Sequence, residues 1–281
     1  MFDRYNQNGT SSYGEDSLQQ AVNTAFIRHV FNLHGEWIFA NVPSLCAEYD
    51  LGWDSAFYLR WLPYIRADDH EGCNFFIQYK LSVLLTSAGA KQWKFWGSEY
   101  FRYKIPYSTK DANGDFVDDY HQWERLKELA DRNYPTFYAT NETLFKDELK
   151  ARYDDGTLLD FIPLLDVRNV SGLHKFVTFT NDSSYFLLHS EKEESKKLSF
   201  SEALRVIYEE PTTNISESNK LILKALKVMG EADESWRNDL LRINQVVNFP
   251  EPLRPWIKRH MIIRFIRKHI GAEMMWLSKK G

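Results

Sequence analysis

The stretch Asn74–Leu85 (NFFIQYKLSVLL) constrains the fold most: it is the most apolar run in the chain. Twelve residues of this type are too short to cross a membrane and have the length and side chains of a strand buried on both faces. Within it Gln78 and Lys80 stand two apart. On a strand that spacing sends both side chains from the same face. A buried strand carrying an amide and an ammonium at one end needs a reason to tolerate them.

The flanking segments predict what covers this strand. Residues 14–34 carry Leu18, Ala21, Val22, Ala25, Phe26, Val30 and Leu33 at helical spacing. Ser12 and Glu15 suggest a capping box at its start, and Gly35 a stop. Asp54–Leu62 (DSAFYLRWL) reads as an aromatic strand, Tyr120–Asp131 as a second helix and Thr136–Ala139 as a short strand. A third helix follows near Asn141–Tyr153, capped by Asn141 or Thr143. Strands are expected at 174–180 and 184–189, a solvated connector at 191–199, and mostly helix from 200 to 249. This order predicts an α/β protein with a mixed sheet flanked by helices and a more helical C-terminal part. The expected division is a core over 12–150 and a C-terminal region over 151–281.

Charge is unevenly spread. The chain has a net charge of -4, yet residues 250–281 hold eight Lys or Arg and two acids, which leaves the preceding residues at -10. Pro250, Pro252 and Pro255 mark the change. Ile262, Phe265, Ile266 and Ile270 share one helical face beside Arg264, Arg267 and Lys268. Three readings stay open: a packed helix with a solvated basic face, a phosphate-contacting or partner-docking helix, and a membrane-surface helix. The polar N-terminus and the lack of a long uncharged apolar run point to a soluble, cytoplasmic protein with no membrane partner. Two cysteines exclude a disulfide scaffold. No P-loop, GxGxxG or GxSxG occurs, and the histidines lack zinc-ligand spacing.

The polar pair defines candidate chemistry. If residues 54–62 run antiparallel beside 74–85, Asp54 approaches Gln78 and Lys80. A carboxylate and an amide oxygen suit a hard cation such as Mg²⁺ or Mn²⁺. A neighbouring lysine serves a water or the charge growing on a phosphate. Glu15, from the first helix, is a further acid, with Gln19 as a substitute. Glu48 competes for the same place, and Asp50 is a weaker candidate.

Glu15, Asp54, Gln78 and Lys80, in that order on a helix and two strands, resemble the PD-(D/E)xK nuclease superfamily in its QxK form, similar to some anti-phage effector nucleases. The resemblance covers about residues 12–140. It implies a restriction-endonuclease-like fold and metal-dependent hydrolysis of DNA. Asp54, Gln78 and Glu15 would be metal ligands and Lys80 the catalytic cation, with Glu48 auxiliary. It further implies a defence setting with an ATPase or sensor partner, or a homo-oligomer. The departures are Trp53 in place of the family's Pro and Gln78 in place of an acid, which removes one negative charge from the site. They keep open a catalytically inactive nuclease-like binding or assembly module, and an RNA-directed nuclease is a further alternative. Lys91, Lys94 and Arg102, among Trp93, Trp96, Tyr100 and Tyr103, are candidate DNA contacts; the same residues also read as aromatic core with surface bases.

Overall fold

Residues 71–79 do form a buried strand. The computed structural model describes residues 9–34, 71–190, 192–244 and 254–278. In chain order the elements are α1 (Glu15–His34), β1 (Glu71–Tyr79), β2 (Val83–Leu85), α2 (Trp93–Trp96), β3 (Tyr100–Lys104), β4 (Tyr107–Lys110) and β5 (Phe116–Asp119). Then come α3 (His121–Asp131), β6 (Thr136–Ala139), α4 (Lys146–Asp155), β7 (Leu164–Asp166), β8 (Phe176–Phe179), β9 (Tyr185–His189) and β10 (Glu193–Lys196). The last are α5 (Phe200–Glu209), β11 (Thr213–Asn214), α6 (Ile215–Met229), α7 (Glu234–Asn244), α8 (Arg254–Ile270) and β12 (Glu273–Ser278). The protein is thus mixed α/β, with a mixed sheet flanked by helices, as its sequence pattern predicts.

β1 is the centre of the first sheet. It pairs parallel with β6, from Phe76 opposite Thr136 to Tyr79 opposite Ala139. It pairs antiparallel with β12, from Gly72 opposite Ser278 to Ile77 opposite Glu273. Side-chain alternation splits the core in two. Phe75, Ile77 and Tyr79 join α1, α4 and α5 through Leu18, Phe26, Leu149 and Phe200. Phe76 and Tyr138 face a second cluster containing Trp123, Leu226, Trp236, Ile262 and Phe265. A second, antiparallel sheet (β10-β9-β8-β3-β2) closes that side with Phe101, Phe179 and Phe186.

Several expectations are corrected. The apolar run 74–85 is two strands in two sheets, because the chain leaves the first sheet after Lys80. There Ser82 N donates to Asn141 Oδ1 at 2.8 Å, and Ser82 Oγ lies 2.6 Å from Thr140 Oγ1. The antiparallel place expected for 54–62 beside β1 is taken by β12 through Ile77, and β6 holds the opposite side at Phe76–Tyr79. Residues 54–62 lie outside the described residues. The segment expected as a connector at 191–199 contains β10, paired with β9. Ser12 does not cap α1; its Oγ accepts from Lys146 N at 2.8 Å. Nor do Asn141 and Thr143 cap α4, whose N-cap is Phe145.

The C-terminal segment belongs to this core. A division at residue 150 would separate β1 from β12, its hydrogen-bonded neighbour. The basic helix α8 buries Ile262, Phe265, Ile266 and Ile270 as expected, but several of its cations are spent internally. Arg267 pairs with Glu273, with Nε 2.6 Å from Oε1, and Lys268 with Asp239 at 2.6 Å. Arg259 is wholly buried. It donates to Asn74 Oδ1, to Ser218 Oγ at 3.2 Å and to Asn219 Oδ1 at 3.3 Å, and lies over the Trp276 ring at 4.6 Å. Burial lowers its pKa to about 9, which leaves it cationic at neutral pH. It ties β1, α6, α8 and β12 together with neutral oxygens alone among these contacts. Arg259→Ala should therefore destabilise the fold by about 3 kcal/mol in urea unfolding, since it leaves the buried Asn74 and Asn219 oxygens without a donor and removes packing on Trp276. A loss under about 1 kcal/mol would contradict this account of the core.

Candidate active site

The start of α1 is fixed from both sides. Leu84 N donates to Gly9 O at 2.8 Å and Ser12 N to Leu144 O at 2.8 Å. Tyr13 OH donates to Thr143 O at 2.6 Å. These bonds place Glu15 in the first turn of α1, where the helix dipole favours an anion.

Glu15 and Lys80 lie close enough at the C-terminal end of β1 to shift each other's titration. Lys80 is only 5% exposed, and its backbone N still donates to Ala139 O at 3.0 Å. Burial lowers its pKa from the ordinary 10.5 to about 8, against the opposing pull of Glu15. Burial in turn raises the Glu15 carboxyl, while Lys80 restrains that rise and Asp16 adds to it. The ammonium sits 3.6 Å from the Tyr107 ring centroid. A buried lysine titrating near 8 beside an acid has a pKa suited to proton transfer.

Gln78 completes the described part. Its Nε2 donates to Gln122 Oε1 at 2.9 Å, at the start of α3. Its Oε1 is buried and has no hydrogen-bond partner among the described residues, while the Gln78 side chain also acts on the Tyr107 hydroxyl, whose pKa burial raises and Gln78 lowers. Such an orphaned carbonyl oxygen costs free energy unless something electropositive meets it. Gly271 supports the arrangement. It ends α8 with φ +71°, and a Cβ there would lie 2.7 Å from Gln122 Oε1.

Of the sequence candidates, Glu15, Gln78 and Lys80 therefore gather at one strand end. Gln19 turns to Glu273 Oε1 at 2.7 Å and is committed elsewhere. Asp54, Glu48 and Asp50 lie outside the described residues. Among the described residues no three His, Cys, Asp or Glu side chains group as metal ligands, and no helix is long and apolar enough to cross a membrane. Tyr107 had no signal in the sequence beyond the Pro106 that precedes it. It arrives because the β4–β5 hairpin begins there, and burial followed by the nearby Glu15 raises its hydroxyl pKa.

Lys91, Lys94 and Arg102 lie on the second sheet and the short helix beside it. Lys91 and Lys94 are exposed and Arg102 is half-buried. Tyr100 and Tyr103 are buried, whereas Trp93 and Trp96 are partly open. The aromatic segment is thus part core and part surface.

Compared with family models, with curated proteins and with solved structures, the chain matches none.

The Lys80 pKa carries a stability consequence. Below about pH 8 the lysine is charged in the fold as in the unfolded chain, and its burial cost is fully present. Between 8 and 10.5 the unfolded chain keeps a proton that the fold has released, so stability from this residue rises with pH. Lys80→Met should stabilise the protein at pH 7 by up to about 3 kcal/mol, with the gain shrinking toward pH 10. Urea unfolding across this range checks both the sign and the trend.

Proposed function

We propose that this protein is a metal-dependent nuclease of restriction-endonuclease-like type that hydrolyses DNA phosphodiester bonds. The observation that carries the reading is the convergence of Glu15 and Lys80 with an unpartnered, buried Gln78 Oε1 at one strand end. The donor set fits a hard cation: a carboxylate and an amide oxygen. Gln78 and Glu15 would hold Mg²⁺ or Mn²⁺, with Asp54 as the main ligand and Glu48 as an auxiliary acid. Bound there, the ion would supply Lewis acidity toward a phosphate oxygen.

The remaining work falls to side chains of the chain itself. Lys80 Nζ, near pKa 8, takes a proton from the attacking water or stabilises charge growing on the phosphate. Glu15 favours the charged form of that lysine through its field. Gln122 fixes the Gln78 amide so that its oxygen, not its nitrogen, is left free. Lys91, Lys94 and Arg102 supply phosphate contacts away from the chemistry. With a net charge of -4, the chain has weak attraction for DNA overall. Delivery by a protein partner such as an ATPase or sensor, or by self-association, fits that balance, as does a role as effector in bacterial defence.

One observation favours a second reading. The Tyr107 ring covers the Lys80 ammonium, and a permanently covered lysine suits an inactive nuclease-like binding or assembly module. Plasmid nicking separates the two. Wild type with Mg²⁺ or Mn²⁺ should nick, chelation should abolish nicking, and Lys80→Ala should slow it by about 10²–10³-fold while staying folded. No cleavage by either protein, with partners supplied, would leave the binding module.

A further inference from the structure

The outward face of the second sheet has a composition that neither core packing nor the catalytic site uses. Residues 91–104 hold four bases, Lys91, Lys94, Arg102 and Lys104, against one acid, Glu99. Lys104 is neutralised by Asp118 at 2.6 Å. Among the described residues no carboxylate forms an ion pair with Lys91, Lys94 or Arg102.

Aromatic rings lie between these charges. Trp96 stacks on Tyr185 with centroids 5.3 Å apart and 24° between planes. Its Nε1 donates to Thr178 Oγ1 at 3.0 Å, which fixes the indole on the sheet. Phe95 is 40% exposed, lies 5.4 Å from the His189 ring and is flanked by Lys94 at 5.0 Å. The exposed Phe95 ring, set against His189 with the Lys94 ammonium over it, and the neighbouring Trp96 indole fixed to Thr178 have the parts of a base-stacking platform. The local field agrees. Burial first, then the neighbouring His174 and the positive charges of Arg102 and Lys91, push the His189 pKa down to about 4.

The platform is also linked to the candidate active site through the backbone. β2 begins three residues after Lys80, and Val83 pairs with Arg102 of β3. β3 then leads through Pro106 into Tyr107, whose ring covers Lys80.

We propose that this face binds single-stranded nucleic acid, with Phe95 stacking on an unpaired base and Lys91, Lys94 and Arg102 contacting the flanking phosphates. The inference rests on the nuclease reading only for its purpose, which is to lead an unpaired strand toward Lys80. A duplex keeps its base faces buried and offers the Phe95 ring nothing to stack on, so charge alone would not discriminate the two forms.

The test is fluorescence anisotropy on the full chain in chelator, so that binding is read without cleavage. The probes are a labelled oligothymidylate of about 15 nucleotides and a duplex of equal length. The single strand should bind about tenfold more tightly than the duplex and quench tryptophan fluorescence. Phe95→Ala should weaken single-strand binding about tenfold, and Lys94→Glu should lower both affinity and salt dependence. Both positions are exposed, and circular dichroism checks that each variant is folded. Equal or tighter duplex binding, or unchanged affinity in Phe95→Ala, overturns the proposal even if the wild type nicks plasmid. Conversely, binding as described with no nicking removes the nuclease and leaves the platform standing.

Discussion

The structure depends on one strand having both faces buried and both edges paired. β1 lies between a parallel and an antiparallel neighbour, so its residues alternate between two separate cores. The order of side chains along it then has little freedom. Phe75, Ile77 and Tyr79 serve the layer with α1, and Phe76 serves the layer with the second sheet. Gln78 and Lys80 follow Phe76 on the same alternation and emerge where the strand ends. There the buried polar groups meet a helix N-terminus and a hairpin rather than more hydrocarbon. The candidate site is therefore a property of strand termination, and the bonds that turn the chain at Ser82 are part of it.

The acidic-versus-basic asymmetry of the chain has a related explanation. The basic C-terminal segment looks in sequence like a surface for phosphate or lipid. In the fold, Arg259 has no exposure at all, and Arg267 and Lys268 answer acids at Glu273 and Asp239. A cation needs space around it as well as charge to act as a docking group; Arg259 and Arg267 have little, and Lys268, though exposed, is paired with Asp239. Lys91 and Lys94, fewer and less conspicuous, retain that space.

The legible parts of the sequence are those written in local periodicity. α1, α3 and α8 show their apolar stripes, and β8 and β9 their short apolar runs. β12 escaped notice because Met274, Met275, Trp276 and Leu277 follow directly on a strong helix and carry no alternation; both their faces are buried. Its pairing with β1 is written in no local pattern. Ser12, Asn141 and Thr143 misled for a chemical reason. Residues that cap helices also bind any other backbone, and here they fasten the start of α1 to the β6–α4 connection. Glu15, Gln78 and Lys80 were legible as a set because strand alternation and helix polarity each constrain them. Tyr107 and Gln122 were not legible as their companions, since only tertiary placement brings a hairpin root and a helix start to that point.

The β1–β12 pairing has a temporal side. On the ribosome, β1 emerges long before residues 273–278, so for most of synthesis its antiparallel edge has no native partner. Such long-range closure is slow and leaves an apolar edge open to wrong pairing in the meantime. It also means that Gln122, which rests against Gly271 at the entrance to that last strand, reaches its final seat late. A growing chain thus holds the pieces of the site without assembling them until residues 271–278 have emerged and paired.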